Sequence, residues 1–120
     1  MATDSLAIEL PFPPSVNTYW RTFRGRMLIS AKGREYRESV LAAVLHADAR
    51  KHFVGRLRLA VSMYPPDRRR RDVDNFLKAT LDALTHAGVY EDDSQIDELT
   101  IKRGEVREGG ALEVFVDELT

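Results

Sequence analysis

Apolar residues fall on every second position over residues 6–12, where Leu6, Ile8, Leu10 and Phe12 alternate with their neighbours. A period of two marks a half-buried strand, and Pro11 with Pro13-Pro14 ends it. The alternation returns over 56–64, with Leu57, Leu59, Val61 and Met63 on one side, until Pro65-Pro66. Elsewhere the spacing is helical. Tyr36, Val40, Leu41, Val44 and Leu45 make the buried stripe of a helix predicted from its N-cap Ser30 to about His46 or Arg50. A second helix is predicted from Asn75 to about Ala87, with Asp74 as N-cap, Leu77, Leu81 and Leu84 as its stripe and Gly88 just beyond its end. Gly25 predicts a short hairpin ahead of Ser30, and Val89-Tyr90 a short extended piece. Leu99 and Ile101, then Leu112, Val114 and Val116, predict a closing hairpin turned at Gly109-Gly110. The order is that of an α+β fold: one domain over 1–120, a mixed β-sheet with two main helices packed on it.

At 120 residues the chain is long enough to bury a core without disulfides or a structural metal. It has no cysteine, which removes thiolate zinc sites and cysteine nucleophiles and fits a reducing cytosol. His46, His52 and His86 are too scattered for a His-rich metal cluster. No apolar run approaches a membrane span, and Met1-Ala-Thr-Asp lacks the character of a secretion signal. The net charge of −1 hides a division: residues 1–71 hold 14 Lys/Arg against 6 Asp/Glu, and residues 72–120 hold 4 against 13. A basic half suits a polyanion partner. An acidic half beside it suits bound cations.

The switch of sign falls inside Arg68-Arg69-Arg70-Arg71-Asp72-Val73-Asp74. If that segment is extended, the side chains of Asp72 and Asp74 point the same way from Cα atoms roughly 6.6 Å apart and can converge on one divalent cation. Lys78 follows Asp74 by one helical turn. Asp92-Asp93 offers a third carboxylate, provided the chain runs back along the sheet after the second helix. Magnesium takes few protein carboxylates together with water and phosphate oxygens. Three aspartates and a lysine beside an arginine run therefore describe a site for metal-assisted phosphodiester hydrolysis. The alternatives are a loop whose aspartates only cap a helix in a nucleic-acid-binding module, and a small phosphatase. A calcium EF-hand is excluded, because Phe76 and Leu77 occupy its fifth-ligand and glycine positions. Tyr19, Trp20 and Phe23 alternate with Arg21, Arg24 and Arg26, a pattern that can stack bases or serve as core and rim.

Three stretches, Leu10-Pro-Phe-Pro-Pro-Ser-Val-Asn-Thr-Tyr-Trp-Arg21, the helix opened by Ser30-Ala31, and the run from Pro66 to Ile96, together resemble the RusA-type Holliday-junction resolvases in order and spacing. The resemblance covers most of the chain. It implies a homodimeric endonuclease, phage- or prophage-encoded, that cuts four-way DNA junctions symmetrically with Mg²⁺, Mn²⁺ being able to substitute. It implies metal-binding catalytic aspartates at Asp72, Asp74 and Asp93, and at Lys78 a lysine that either orients water or stabilises the transition state. DNA contacts are expected from Arg68, Arg69, Arg70 and Arg71, and from Asn17, Tyr19, Trp20, Arg21, Arg24 and Arg26. A cytoplasmic, DNA-associated protein of a bacterial or phage-infected cell is expected.

Overall fold

The two strands with the cleanest alternation lie side by side. In a computed structural model that describes residues 4–119, β4 (Leu57–Tyr64) and β6 (Ala111–Glu118) pair antiparallel, with Leu59 opposite Val116 and Val61 opposite Val114. Met1 to Thr3, read above for signal character, and Thr120 lie outside the described residues. On the far side of β6 comes β1 (Ser5–Leu10), antiparallel, and on the far side of β4 comes β5 (Ile96–Arg103), parallel. The order is β1-β6-β4-β5. Leu57, Leu59, Val61 and Met63, with Leu112, Val114, Val116, Ile8 and Leu10, all enter one core on one face of this sheet.

The expected closing hairpin is corrected: β5 and β6 do not pair, and β4 lies between them. The composition of β5 explains this. Ile96-Asp-Glu-Leu-Thr-Ile-Lys-Arg103 carries four charges in eight residues and leaves Leu99 40% exposed, which suits an edge. By contrast Leu112, Val114 and Val116 are each at most 1% exposed, as an interior strand requires. Gly109 and Gly110 do turn the chain, at φ +77° and +70°, but within a link that carries it past β4.

A helical turn, α1 (Val16–Tyr19), leads into the hairpin β2 (Trp20–Phe23) and β3 (Arg26–Ile29), a sheet of its own. Arg24 and Gly25 turn it at φ 51° and 73°, the paired positive values of a type I′ turn. Helix α2 (Ala31–His46) starts as expected, with the Ser30 hydroxyl accepting from the Gly33 N–H at 3.0 Å. Its first turn seats directly on the hairpin: a Cβ at Gly33 would lie 2.5 Å from the Tyr19 carbonyl oxygen. Tyr36, Val40 and Val44 are buried, but Leu45 is 55% exposed. Nine residues beyond Tyr36, at about 100° each, Leu45 points to the opposite side of the helix.

Helix α3 (Leu77–His86) starts later than expected, after a 3₁₀ turn over Val73–Phe76. Asp74 is therefore no N-cap; it sits within that turn, and its carbonyl accepts the Leu77 N–H. Phe76 packs inward on Phe12, ring centroids 5.1 Å apart, and this anchor holds the tighter turn. The buried face of α3 is Ala79, Thr80, Ala83 and Leu84, while Leu77 and Leu81 are half-buried along its margin. Small residues let α3 lie close to α2. Gly88 ends it at φ +83°, as expected.

Leu59→Ala, in the central strand, should cost about 2–5 kcal/mol in chemical denaturation. Leu45→Ala should change stability by less than about 0.5 kcal/mol, as for an ordinary surface position. Equal costs would return Leu45 to the core.

Candidate active site

The loop after β4 sorts its four arginines by direction. The Asp67 carboxylate accepts the Arg69 backbone N–H at 2.9 Å and the Arg71 guanidinium at 2.7 Å. Arg71 lies over the Phe12 ring, 5.6 Å from its centroid, and its side chain is only 14% exposed. Arg103, at the end of β5, donates to the Arg71 carbonyl. Arg71 thus holds the loop instead of offering its charge to DNA, whereas Arg68, Arg69 and Arg70 remain exposed. The bond from Arg71, then that from the Arg69 N–H, draws the Asp67 carboxyl down from 3.8 to about 2.

Asp72 and Asp74 follow. Asp72 is extended (φ −89°, ψ 129°), but Asp74 belongs to the 3₁₀ turn, so the two do not share the continuous extended segment expected of them. Both are exposed. Asp72 lines a shallow groove of about 420 Å³ with Ser15, Arg70, Arg71, Asn75 and Phe76. Lys78, exposed on the first turn of α3, faces a second groove of about 680 Å³ with Asn17, Trp20, Arg21 and Asp82.

Two expected DNA contacts have divided fates. Tyr19 is fully buried, and its hydroxyl donates to Asp82, so its ring cannot stack on a base. Burial first, and then the Asp82 carboxylate, push that hydroxyl above the usual tyrosine range. Arg37 completes the cluster, donating to Asp82 at 2.7 and 2.9 Å and to the Tyr19 oxygen at 3.0 Å. Trp20, half-buried, borders the second groove, and its buried indole N–H has no partner among the described residues. Arg21 and Arg24 stay exposed and flank the Phe23 ring at 5.7 and 5.3 Å; Arg26 and Asn17 are exposed too.

Asp93 opens a 3₁₀ turn, Asp93–Gln95, just before β5. Gln95 fixes that turn: its amide oxygen accepts the Glu91 and Asp92 N–H groups, and its amide nitrogen donates to Phe53 and Gly55 carbonyls at 2.8 and 2.9 Å. Asp92 caps it through the Ser94 N–H, which leaves Asp93 exposed. Tyr90, before this turn, bonds the Leu81 carbonyl at 2.8 Å. Burial foremost, with the charges of Asp93, Asp82 and Asp92 adding, raises the Tyr90 hydroxyl.

The three aspartates expected to bind metal are not gathered within a single chain. Ile96 starts β5 beside Leu57, and Arg103 ends it beside Met63 and Arg71. Asp93 lies just before the start of β5, whereas Asp72 follows Arg71, whose carbonyl accepts from Arg103 at the other end of that strand. Among the described residues no three His, Cys, Asp or Glu side chains gather so as to hold a metal. What one chain offers is the pair Asp72 and Asp74, which matches the one or two carboxylates that magnesium takes beside substrate phosphates. Neither aspartate makes a side-chain hydrogen bond or ion pair with the described residues, nor do Asp93 and Lys78, whereas Asp67, Asp82, Asp92 and Asp97 are all engaged. The sequence reading passed over Asp82, Gln95 and Arg103. Only Asp82 left a trace, one helical turn beyond Lys78 on α3.

These features define a small α+β protein whose basic loop, carrying two unengaged carboxylates, stands at the C-terminal end of a parallel strand pair. Residues 11–117 match the family described as Endodeoxyribonuclease RusA. The chain belongs to that family. It is 44% identical over 110 residues to the crossover junction endodeoxyribonuclease rusA of Enterobacteria phage HK97, covering 92% of each chain. It is 39% identical over 116 residues to that of Escherichia coli strain K12, covering 97% of each, and 40% identical over 112 residues to that of Enterobacteria phage 82, covering 93% of each.

The Asp67 carboxyl titrates lower in the folded protein than in the unfolded chain. Its contribution to holding the loop should therefore be complete above about pH 4 and be lost as pH falls towards 2. Carboxyl-detected NMR titration should show this midpoint, and Arg71→Ala should return it towards 3.8. An unmoved midpoint would mean that Arg71 does not hold Asp67 in solution.

Proposed function

We propose that this protein is a crossover-junction endodeoxyribonuclease: a structure-selective, metal-dependent endonuclease that resolves four-way (Holliday) DNA junctions by symmetric phosphodiester hydrolysis in recombination and repair. The observation that carries this reading is the loop itself, where exposed Arg68, Arg69 and Arg70 adjoin Asp72 and Asp74, neither of which is engaged by a side chain among the described residues. Family membership agrees with it.

The arginines hold phosphates of the junction arms, and the Asp67–Arg71 clamp keeps them at a fixed place relative to the carboxylates. Asp72 and Asp74 would hold Mg²⁺, with Mn²⁺ as substitute. When bound, the cation activates water and offsets the charge building on the scissile phosphate. Lys78 contributes a fixed positive charge at the mouth of the second groove, and Asn17, Trp20 and Arg21 line the same groove as DNA contacts. Asn17 is exposed, and Trp20 is half-buried at the groove's border.

Two copies are needed. Symmetric cutting takes two equivalent sites, which a twofold dimer supplies. Asp93, not gathered with Asp72 and Asp74 in its own chain, completes the site of the other copy. The protein acts where DNA is accessible inside a bacterial or phage-infected cell. No helix among the described residues is long and apolar enough to cross a membrane.

The test compares a synthetic four-way junction with a linear duplex of the same sequence, in Mg²⁺ and in chelator. Paired symmetric nicks in the junction alone, abolished by chelation, are expected; equal cutting of the duplex would sink the reading. Asp74→Asn should lower cleavage by orders of magnitude while junction binding persists or tightens, since repulsion of phosphate drops. Parallel loss of binding and cleavage would make Asp74 structural. Replacing Arg69 and Arg70 with Ala should flatten the salt dependence of binding by up to ~0.9 log unit for each phosphate that is no longer neutralised. A cation bound only where two copies meet also favours the dimer by mass action. Mn²⁺ should thus tighten self-association of the wild type but not of Asp93→Asn, as read by analytical ultracentrifugation.

A further inference from the structure

We propose that β5 is the strand through which two copies of this chain join, edge to edge and antiparallel, about a twofold axis passing at Thr100. The proposal rests on the two-copy enzyme argued above and says which surface makes it. β5 is the terminal strand of the sheet, and Glu98, Leu99, Thr100, Lys102 and Arg103 along it are exposed. An open edge is a template for another strand, and scattered charges ordinarily protect it. Here the charges are ordered instead. The strand reads acidic at Asp97-Glu98, apolar at Leu99 and Ile101, and basic at Lys102-Arg103.

That order is complementary to its own reverse. Directly opposed residues of an antiparallel pair point to the same face, so the allowed registers differ in steps of two residues. With the axis at Thr100, Glu98 opposes the partner's Lys102, and Leu99 opposes the partner's Ile101. Symmetry makes each contact twice. Moving the axis to Leu99 would set Glu98 against threonine, and moving it to Ile101 would set Leu99 against arginine. Only the register on Thr100 joins opposite charges and covers Leu99, which is 40% exposed in the single chain. Asp97 stands aside, because the strand bulges between the Leu57 and Arg58 pairings and Arg56 already holds its carboxylate at 2.5 and 2.9 Å.

The reversed direction has a consequence for the catalytic loop. The start of β5, with Asp93 just before it, comes beside the partner's Arg103, whose counterpart here binds the Arg71 carbonyl next to Asp72. Groups at opposite ends of one chain's strand become neighbours across the pair.

The test is charge exchange, read by sedimentation of the full chain in low-salt buffer containing Mg²⁺. Wild type should be a dimer. Glu98→Lys and Lys102→Glu should each weaken self-association by roughly tenfold or more, since like charges then oppose each other twice. An equimolar mixture of the two variants, and the double variant, should regain wild-type association, because every contact again joins opposite charges. Glu98→Lys also removes the 3.6 Å ion pair of Glu98 with Arg58 inside the chain. The Glu98→Lys chain of the mixture and the double variant both lack that pair too, so recovery cannot come from it. A monomeric wild type, single variants that associate as well as wild type, or no recovery on mixing would each overturn the proposal. Junction cleavage is read separately. A monomer that cuts junctions removes the interface and keeps the enzyme, whereas a charge-rescued dimer that cuts nothing does the reverse.

Discussion

The parallel pairing of β4 with β5 is the constraint on which the rest of this molecule depends. Parallel neighbours cannot be joined by a tight turn; the chain must leave one end of the sheet and return to the other, usually through a helix. Here α3 makes the return, and it separates the acidic residues into two groups. Asp72 and Asp74 leave with the outgoing loop, and Asp93 arrives with the incoming one. One topological fact thus accounts for a carboxylate pair on one side, a lone carboxylate on the other, and a strand left at the edge of the sheet.

Charge within the outgoing loop is divided by burial. Arg71 is mostly covered, stacked on Phe12 and bonded to Asp67, whereas Arg69 has 82% of its side chain in water. An exposed ion pair contributes at most about 1 kcal/mol, so the Arg69–Asp67 contact at 3.5 Å fixes little. The shorter and better covered Arg71 contact is the one that orders the loop. A run of four arginines is therefore one anchor and three exposed cations.

A second anchor lies under the hairpin. Asp82, Arg37 and Tyr19 tie α3, α2 and α1 together through hydrogen bonds among partly covered charged groups. Charge-assisted bonds of this kind are the stronger class. They fix where the hairpin with its exposed Arg21, Arg24 and Arg26 stands relative to Lys78, since Lys78 and Asp82 share one helix. Gly33 allows the same closeness from the other side, where a methyl group would collide with the Tyr19 carbonyl.

The sequence by itself determined the local elements: the strand over 56–64, the capped start of α2 at Ser30, the short hairpin turned at Gly25 and the end of α3 at Gly88. Each follows from alternation, a cap or a positive φ, and these act over a few residues. It also determined the α+β class and, through motifs in order and spacing, the family. Pairing of β5 with β4 instead of β6 was decided only in three dimensions, because neighbours in a sheet are chosen by competition for burial, and alternation alone does not rank strands. The same holds for the inward turn of Arg71 and Tyr19. Their partners, Asp67 with Phe12 and Asp82 with Arg37, include residues distant in sequence, and a run of like residues carries no mark of which member will be covered. Nor could spacing show that Asp72 leaves with the loop after β4 while Asp93 arrives ahead of β5, since that placement belongs to the crossover and not to the length of chain between their turns.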